Sequence, residues 1–531
     1  MTTPARFVIK NANIFTGNTA QPKAEAVALT GNRIVYVGDD AGAERYRGAG
    51  TRVIDGQGHT LTPGFIDTHV HLLWGAVWMG NAQMQEAKNP EDVKRILLEF
   101  AEKNRTEPWV IGRGIRYNII DSRHDLDAIL PDRPVYIGSF DGHTAWANTK
   151  ALEIAGILHD DGRILPNGII VRDRHGLATG ELRENDALDA VIQQAPLPDE
   201  NRKRELLKLA AQAFNQSGIT SVHNLNGDMQ ELTVYAAAED AGEMSLRVYV
   251  PYHVKPETTE EQLKEAVEMA KVQMEYVRGG AAKFFMDGVW ESYTAFNVHP
   301  YADVPETQVE PIFSAGHFTR MATLCDQLGL QVAVHCCGDA AVRQALDGYE
   351  AVQQANGKRD SRHRIEHIEV CQPEDMPRFA ELGVIASMQT SHAPFSQEDD
   401  EVWTKRTGPE RWKYAFAWRA LKEAGAHLSL GSDWTVAPFD PLFNIHVALN
   451  RKPLGDSPDQ RLTLEECILG YTRDAAYVEF KEHEKGQIRE GYLADLVLFS
   501  HDLFALKPEE IRIAKPVLTM FDGQVVFETK G

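Results

Sequence analysis

An α/β chain built on a (β/α)8 TIM-type barrel is the fold class that this sequence predicts. The first observation is a set of eight short apolar runs with strand character, at 66–71, 219–223, 246–251, 281–286, 331–336, 364–370, 384–388 and 427–430. The second is that most of them follow amphipathic helical sequence, such as 204–216 and 261–277. Strands alternating with helices in that number argue for a parallel sheet closed into a barrel. The third observation lies at the two chain ends, which carry strand and hairpin signals but too few strands to bury a core separately.

Residues 7–9, 26–29, 33–37 and 51–55 read as short strands, punctuated by Gly31-Asn32 and Gly56-Gln57-Gly58. Residues 491–499 carry another strand signal. Residues 517–521 and 524–528 flank Asp522-Gly523, a type I′ hairpin candidate. The simplest solution is one small β-sandwich made by both ends, 1–62 and 481–531, around a barrel of 63–480. The first connection, about 75–203, is far too long for a βα loop. It holds strand signals of its own in Trp109-Val110-Ile111-Gly112 and Pro134-Val135-Tyr136-Ile137. It reads as a large insertion after the first barrel strand that caps the barrel mouth.

The chain has 531 residues, enough for a large core and a second unit. Its 43% hydrophobic and 25% charged content is that of an ordinary globular protein. A net charge of −22 argues against a nucleic-acid surface. No run of eighteen apolar residues suggests a membrane span, and residues 1–7 lack the apolar core of a signal peptide. Five cysteines do not make a disulfide framework, and the adjacent Cys336 and Cys337 read as small core filler. The expected compartment is the cytoplasm, and the expected partner is a small-molecule substrate, with a homodimer allowed.

Chemistry concentrates first at Leu61-Thr62-Pro63-Gly64-Phe65-Ile66-Asp67-Thr68-His69-Val70-His71. On a strand, residues i and i+2 share a face, so Asp67, His69 and His71 project together. Two imidazoles about 7 Å apart on one strand face can chelate a metal ion. In a (β/α)8 barrel the catalytic groups sit at the C-terminal strand ends. Here those ends carry His71, Lys283, His335, His367 and Asp433. Each has a structural alternative. His335 and His367 could be hydrogen-bonded core histidines, and Asp433 a turn or cap aspartate. Lys283, among apolar neighbours, could pair with Asp287, or could lose its proton and react with carbon dioxide to give a carbamate, a long carboxylate. His363, Glu366 and Asp339 are nearby alternatives or imidazole-orienting partners. Trp74, Trp78 and Trp290 could line an apolar pocket or simply pack.

The segment Pro-Gly-Phe-Ile-Asp-x-His-x-His resembles the amidohydrolase superfamily, in particular the large members that include N-substituted formamide deformylase and the YtcJ-type proteins. The resemblance extends to Ala281-Ala282-Lys283, Val332-Ala333-Val334-His335, His363–His367 and Gly431-Ser432-Asp433-Trp434. It implies His69, His71, Lys283, His335, His367 and Asp433 as metal ligands, with Lys283 carbamylated and bridging. The implied cofactor is a divalent pair, two Zn ions or else Mn, Fe or Co. Asp141-Gly142-His143 resembles a family segment in which His143 reaches the substrate carbonyl. The expected substrate contacts are His143, from that resemblance, and Trp290 and Trp74 as candidate pocket aromatics; Asp433 and His143 are the expected catalytic groups. The implied reaction is hydrolysis of a non-peptide C–N bond, in an amide or an N-acyl or N-formyl amine. Metal-bound hydroxide would attack, and Asp433 would shuttle the proton. The enzyme alternatives on the same scaffold are a mononuclear deaminase and an ester or lactone hydrolase. The non-enzyme alternative is a silent scaffold like the dihydropyrimidinase-related proteins, which the complete ligand set disfavours.

Overall fold

The computed structural model describes residues 3–139, 143–163, 165 and 168–529. They form two compact units, one running up to Leu72 and resuming at Lys208, the other spanning Leu73–Leu207.

The first unit contains an eight-stranded, all-parallel sheet in chain order. Its strands are β1 (Phe65–Val70), β2 (Ile219–Asn224), β3 (Arg247–His253), β4 (Val277–Phe285), β5 (Gln331–Cys336), β6 (Arg364–His367), β7 (Ile385–Gln389) and β8 (His427–Gly431). Every residue of β1, β2, β5, β6 and β7 is buried, as expected for parallel strands covered on both faces. The gap between β8 and β1 is closed by a parallel bridge from Val70 to Trp434. Asp433 N donates to His69 O, and His71 N to Trp434 O, both at 2.7 Å. Gly431 makes this seam feasible, because a Cβ there would lie 2.7 Å from His69 N.

All eight expected strands are present, with two informative differences. Helical sequence at 261–277 forms a helix only over Leu263–Lys271. Beyond it, the Glu239 carboxylate accepts the backbone N–H groups of Glu275, Tyr276 and Val277, so they need no helical partner. The chain then turns into β4, which starts four residues earlier than its apolar core suggests. Gly279 permits this, since a Cβ there would sit 2.2 Å from Met269 O. The sixth strand stops at His367 instead of Val370, because His367 and Ile368 adopt φ of 74° and 50°.

The chain ends contribute two further sheets to this unit. One joins Phe7–Lys10, Ala26–Thr30, Arg33–Gly38 and Arg52–Asp55. The other joins Lys23–Ala24, Asn13–Phe15 and Thr60–Pro63 to the C-terminal strands Leu496–Phe499, Pro516–Phe521 and Gln524–Glu528. Side chains from both, including Ile9, Leu29, Leu61, Leu496 and Met520, share one buried core. Asp522 and Gly523 have φ of 50° and 71°, the paired positive values that a type I′ turn requires. Arg247, at the start of β3, donates to Asp495 and Asp522 at 2.8 Å each.

The second unit has a mixed six-stranded sheet built from Ala82–Gln83, Val110–Ile115, Val135–Ser139, Thr144–Ala147, Ala178–Arg183 and Ile169–Arg172. Among the described residues, no helix is long and apolar enough to cross a membrane.

Candidate metal centre

The barrel places a polar cluster at the C-terminal ends of its strands. Asp67 Oδ1 accepts the backbone N–H groups of His69 and Ser432, which ties β1 to the residue before Asp433. Burial pushes the Asp67 carboxyl up to about 7. Asp433 itself sits at φ 58°, a left-handed conformation rare outside glycine, which turns its carboxylate toward the histidines. Its Oδ1 lies 3.4 Å from His69 Nε2 and 3.1 Å from His71 Nε2. Its Oδ2 lies 3.9 Å from His367 Nδ1 and 3.6 Å from His392 Nε2. Burial alone would raise the Asp433 carboxyl, but His69, His71 and His392 outweigh it and hold it below the usual carboxylate range.

Two of the imidazoles, His69 and His335, are oriented through one ring nitrogen. His69 Nδ1 contacts Glu366 Oε2 at 2.9 Å. A proton on that nitrogen leaves Nε2 with its lone pair toward Asp433. His335 Nε2 lies 3.0 Å from the Gly288 carbonyl, which fixes the proton there and frees Nδ1. Its ring centroid is 4.3 Å from that of His367. Burial pushes His69 down to about 4 and His335 to about 3, and His367 falls well below its ordinary value for the same reason. The three are neutral at pH 7, the state in which imidazole binds a metal.

Lys283 on β4 is fully buried, and its Nζ has no hydrogen-bond partner among the described residues. It lies 4.4 Å from the Phe285 ring centroid. Burial pushes its ammonium down to about 8, against the opposing pull of Glu366 and Asp433. Pairing with Asp287 is not what the structure shows. Both Asp287 oxygens are occupied by backbone N–H groups of Phe296, Cys337 and Gly338, at 2.8–3.0 Å.

Trp290, Trp74 and His143 are the other expected site residues. Trp290 is fully buried, with its indole N–H donating to Cys337 O and Tyr301 and Trp403 packed edge-on to it. In the second unit, Trp74 meets Trp78 at 4.1 Å between ring centroids. It lines an apolar cavity of 280 Å³ together with Trp109, Phe100 and Leu206. His143 is largely exposed and pairs with Glu184 at 3.1 Å, while Asp141 and Gly142 lie outside the described residues.

Two groups in the cluster escaped the sequence reading. His392 follows β7 in a short 3-10 turn, Thr390–His392, and Glu369 lies two residues past the end of β6. The rule that chemistry sits at strand ends, applied to β7 as it was to β1, would have reached His392.

The Amidohydrolase family model matches residues 52–527, a span that includes every residue of this cluster. The chain belongs to the amidohydrolase family. It is similar to the putative amidohydrolase YtcJ of Bacillus subtilis, at 31% identity over 91% of this chain and 92% of that one. It is similar to the N-substituted formamide deformylase of Arthrobacter pascens, at 27% identity over the whole of both chains. Among solved structures, an uncharacterised metal-dependent hydrolase from Pyrococcus furiosus superposes with a TM-score of 0.77. That match has 25% identity and covers 95% of this chain and 99% of the other. For an amidohydrolase, the barrel and the strand-end position of the cluster are the expected arrangement.

Proposed function

We propose that this amidohydrolase is a metal-dependent hydrolase of a non-peptide C–N bond, in an amide or an N-acyl or N-formyl amine, acting on a small molecule in the cytoplasm. The observation that carries the reading is the convergence of His69, His71, His367 and His392 on the two oxygens of Asp433. The donor set fits a divalent ion. It is all nitrogen and oxygen, as Zn²⁺, Mn²⁺, Fe²⁺ and Co²⁺ accept. It also leaves His367 Nδ1 and Lys283 Nζ buried without a hydrogen-bond partner, which is costly unless a bound group satisfies them. The similarity to a formamide deformylase over the full chain supports the C–N bond class.

In this reading His69, His71, Lys283, His335, His367 and Asp433 hold the metal. Lys283 does so as a carbamate, formed when neutral Nζ bonds to the carbon of CO2 and releases one proton. A divalent ion bound there supplies Lewis-acid activation of water and of the scissile carbonyl. Asp433, ionised at neutral pH, accepts the proton of the attacking water and delivers it to the leaving nitrogen. Glu366 and the Gly288 carbonyl hold His69 and His335 in the tautomers that coordination needs.

The test pairs metal analysis with a hydrolysis screen over formamides, N-acyl amino acids, carbamates, lactones and cyclic ureides. The expected outcome is chelator-sensitive turnover of a formamide or N-acyl amine, and loss of both metal and turnover in His69→Ala/His71→Ala. Turnover of lactones alone would replace the C–N reading with an ester one. Unchanged metal in the double variant would remove the site.

A further inference from the structure

Gln389 is the last residue of β7 and is 2% exposed. Neither Oε1 nor Nε2 of its side chain has a hydrogen-bond partner among the described residues. A buried carboxamide in that state is costly, since both of its ends have left water unpaired. We propose that Gln389 is a specificity-determining residue that contacts the substrate. Its Oε1 accepts the N–H of the scissile amide, and its Nε2 donates to an oxygen of the same molecule. The site thereby selects amides that carry an N–H over N,N-disubstituted amides and esters. This inference rests on the C–N reading above and deepens it.

The register of the barrel fixes where Gln389 points. Two residues earlier on β7, Ser387 Oγ accepts from Arg364 Nη2 at 2.8 Å. Arg364 also reaches His223 on β2 and the Thr68 carbonyl on β1, so it and Ser387 face the barrel interior. Residues i and i+2 of a strand share a face, and Gln389 therefore faces the interior as well. Ser387 pairs with Glu366, and Glu366 with His335, across β7, β6 and β5. Gln389 lies one layer above these three, about 7 Å further toward the C-terminal strand ends. Its partner on β8 is Gly431, where a Cβ would lie 2.7 Å from His69 N. Gln389 thus stands between the strand that ends in His367 and the strand that leads to Asp433.

The layer beneath it behaves differently. Ser387 Oγ accepts from Arg364, and Arg364 and His69 share the Glu366 carboxylate. Polar groups that serve the barrel itself are paired within it. Packing does not account for Gln389, because a methionine would fill the same space without burying two polar atoms. The carboxamide presents an acceptor and a donor side by side. An amide that carries an N–H supplies a donor and an acceptor in return. An ester or an N,N-disubstituted amide has no N–H and leaves Oε1 unpaired, a mismatch that discriminates strongly in a closed site.

The experiment uses Gln389→Met, which keeps the shape and removes both polar atoms. Each N-formyl and N-acyl amine of the hydrolysis screen is assayed beside its N-methyl counterpart, in metal-loaded, full-length protein. The ratio of the two kcat/KM values is then compared between wild type and variant. The wild type should favour the N–H member, and the ratio should fall by about 10–100-fold in Gln389→Met. A loss of folded protein lowers both rates alike and leaves the ratio untouched. Metal content should stay the same, and the variant should melt at or above the wild-type temperature, because it no longer buries an unpaired amide. An unchanged ratio would show that Gln389 does not touch the substrate. A lower melting temperature would show that its amide is bonded within the folded chain. Either result overturns the inference and leaves the C–N reading standing, and so does a wild type that turns over both members of every pair alike. Turnover of lactones alone, or of none of these compounds, would overturn both.

Discussion

His69 Nδ1 lies 2.9 Å from Glu366 Oε2, and the same carboxylate is gripped by Arg364, whose Nη2 is 2.9 Å from that oxygen. All three side chains are buried inside the barrel. Arg364 also donates to the Thr68 carbonyl at 2.7 Å and to Ser387 Oγ at 2.8 Å, so one guanidinium ties β6 to β1 and β7. Barrel interiors are usually filled with branched aliphatic residues. Here a charged layer beneath the metal cluster sets the rotamer and tautomer of His69.

Glu366→Gln tests that layer. It keeps the shape but removes the negative charge that both His69 and Arg364 rely on. Metal affinity should fall by about 10–100-fold, as for other groups that orient a metal-binding histidine. Stability should fall as well, because a buried Arg364 without its carboxylate costs about 3–5 kcal/mol. Zinc titration and a melting curve measure the two effects separately. Wild-type values in both would show that His69 needs no orienting partner.

Lys283 carries the second prediction. Its buried Nζ lacks a partner, and Asp287 is fully occupied by backbone donors. Lys283→Ala should therefore lose metal and turnover, and formate, acetate or propionate should restore part of both by standing in for the carbamate. Intact-mass analysis under native conditions should show the wild-type chain heavier by one CO2. An unmodified lysine in fully metallated protein would refute the carbamate.

Much of this was legible in the sequence. Short apolar runs locate strands, and the structure places His69, Lys283 and His335 on β1, β4 and β5 as those runs imply. The Asp522-Gly523 turn was readable from two residues, because few others adopt paired positive φ. What escaped depends on contacts across the barrel. Nothing local to Arg364 shows that it points inward at Glu366 and His223, since a polar strand residue reads as outward-facing. His392 lies three residues past the end of β7, so the strand-end rule reaches it only when carried through the 3-10 turn that follows. Trp290 was expected to face a substrate, but the sequence does not reveal the rings of Tyr301 and Trp403 that pack against it.

His223 gives a pH-dependent expectation away from the proposed ligands. It is fully buried, 2.9 Å from Arg364 and 3.5 Å from Glu479. Burial pushes it down to about 4, against the upward pull of Glu479. Between pH 4 and 6.5 the unfolded chain then carries a proton at this position that the folded chain lacks. Stability should therefore fall as pH drops from 6.5 toward 4, with no further loss from this group below that. In metal-free protein, His223→Gln should flatten the dependence of melting temperature on pH across that window. An unchanged slope would mean that His223 is protonated in the folded state.

Asp433→Asn exposes the proposed mechanism most directly. The substitution keeps the shape and one oxygen for coordination, but an amide cannot accept a proton. The histidines and Lys283 should hold most of the metal, so metal content should stay near that of the wild type. Turnover should drop by roughly 10²–10⁴-fold, the range for a positioned acid–base group. The acidic limb of the pH–rate profile should also move or vanish, because it reports Asp433 and the attacking water as a coupled pair. The histidines around Asp433 hold its carboxyl low in the metal-free chain, so the wild-type limb should lie well on the acid side of neutrality. A variant with full metal, normal turnover and an unaltered acidic limb would leave Asp433 as a ligand alone and move the proton transfer to another group.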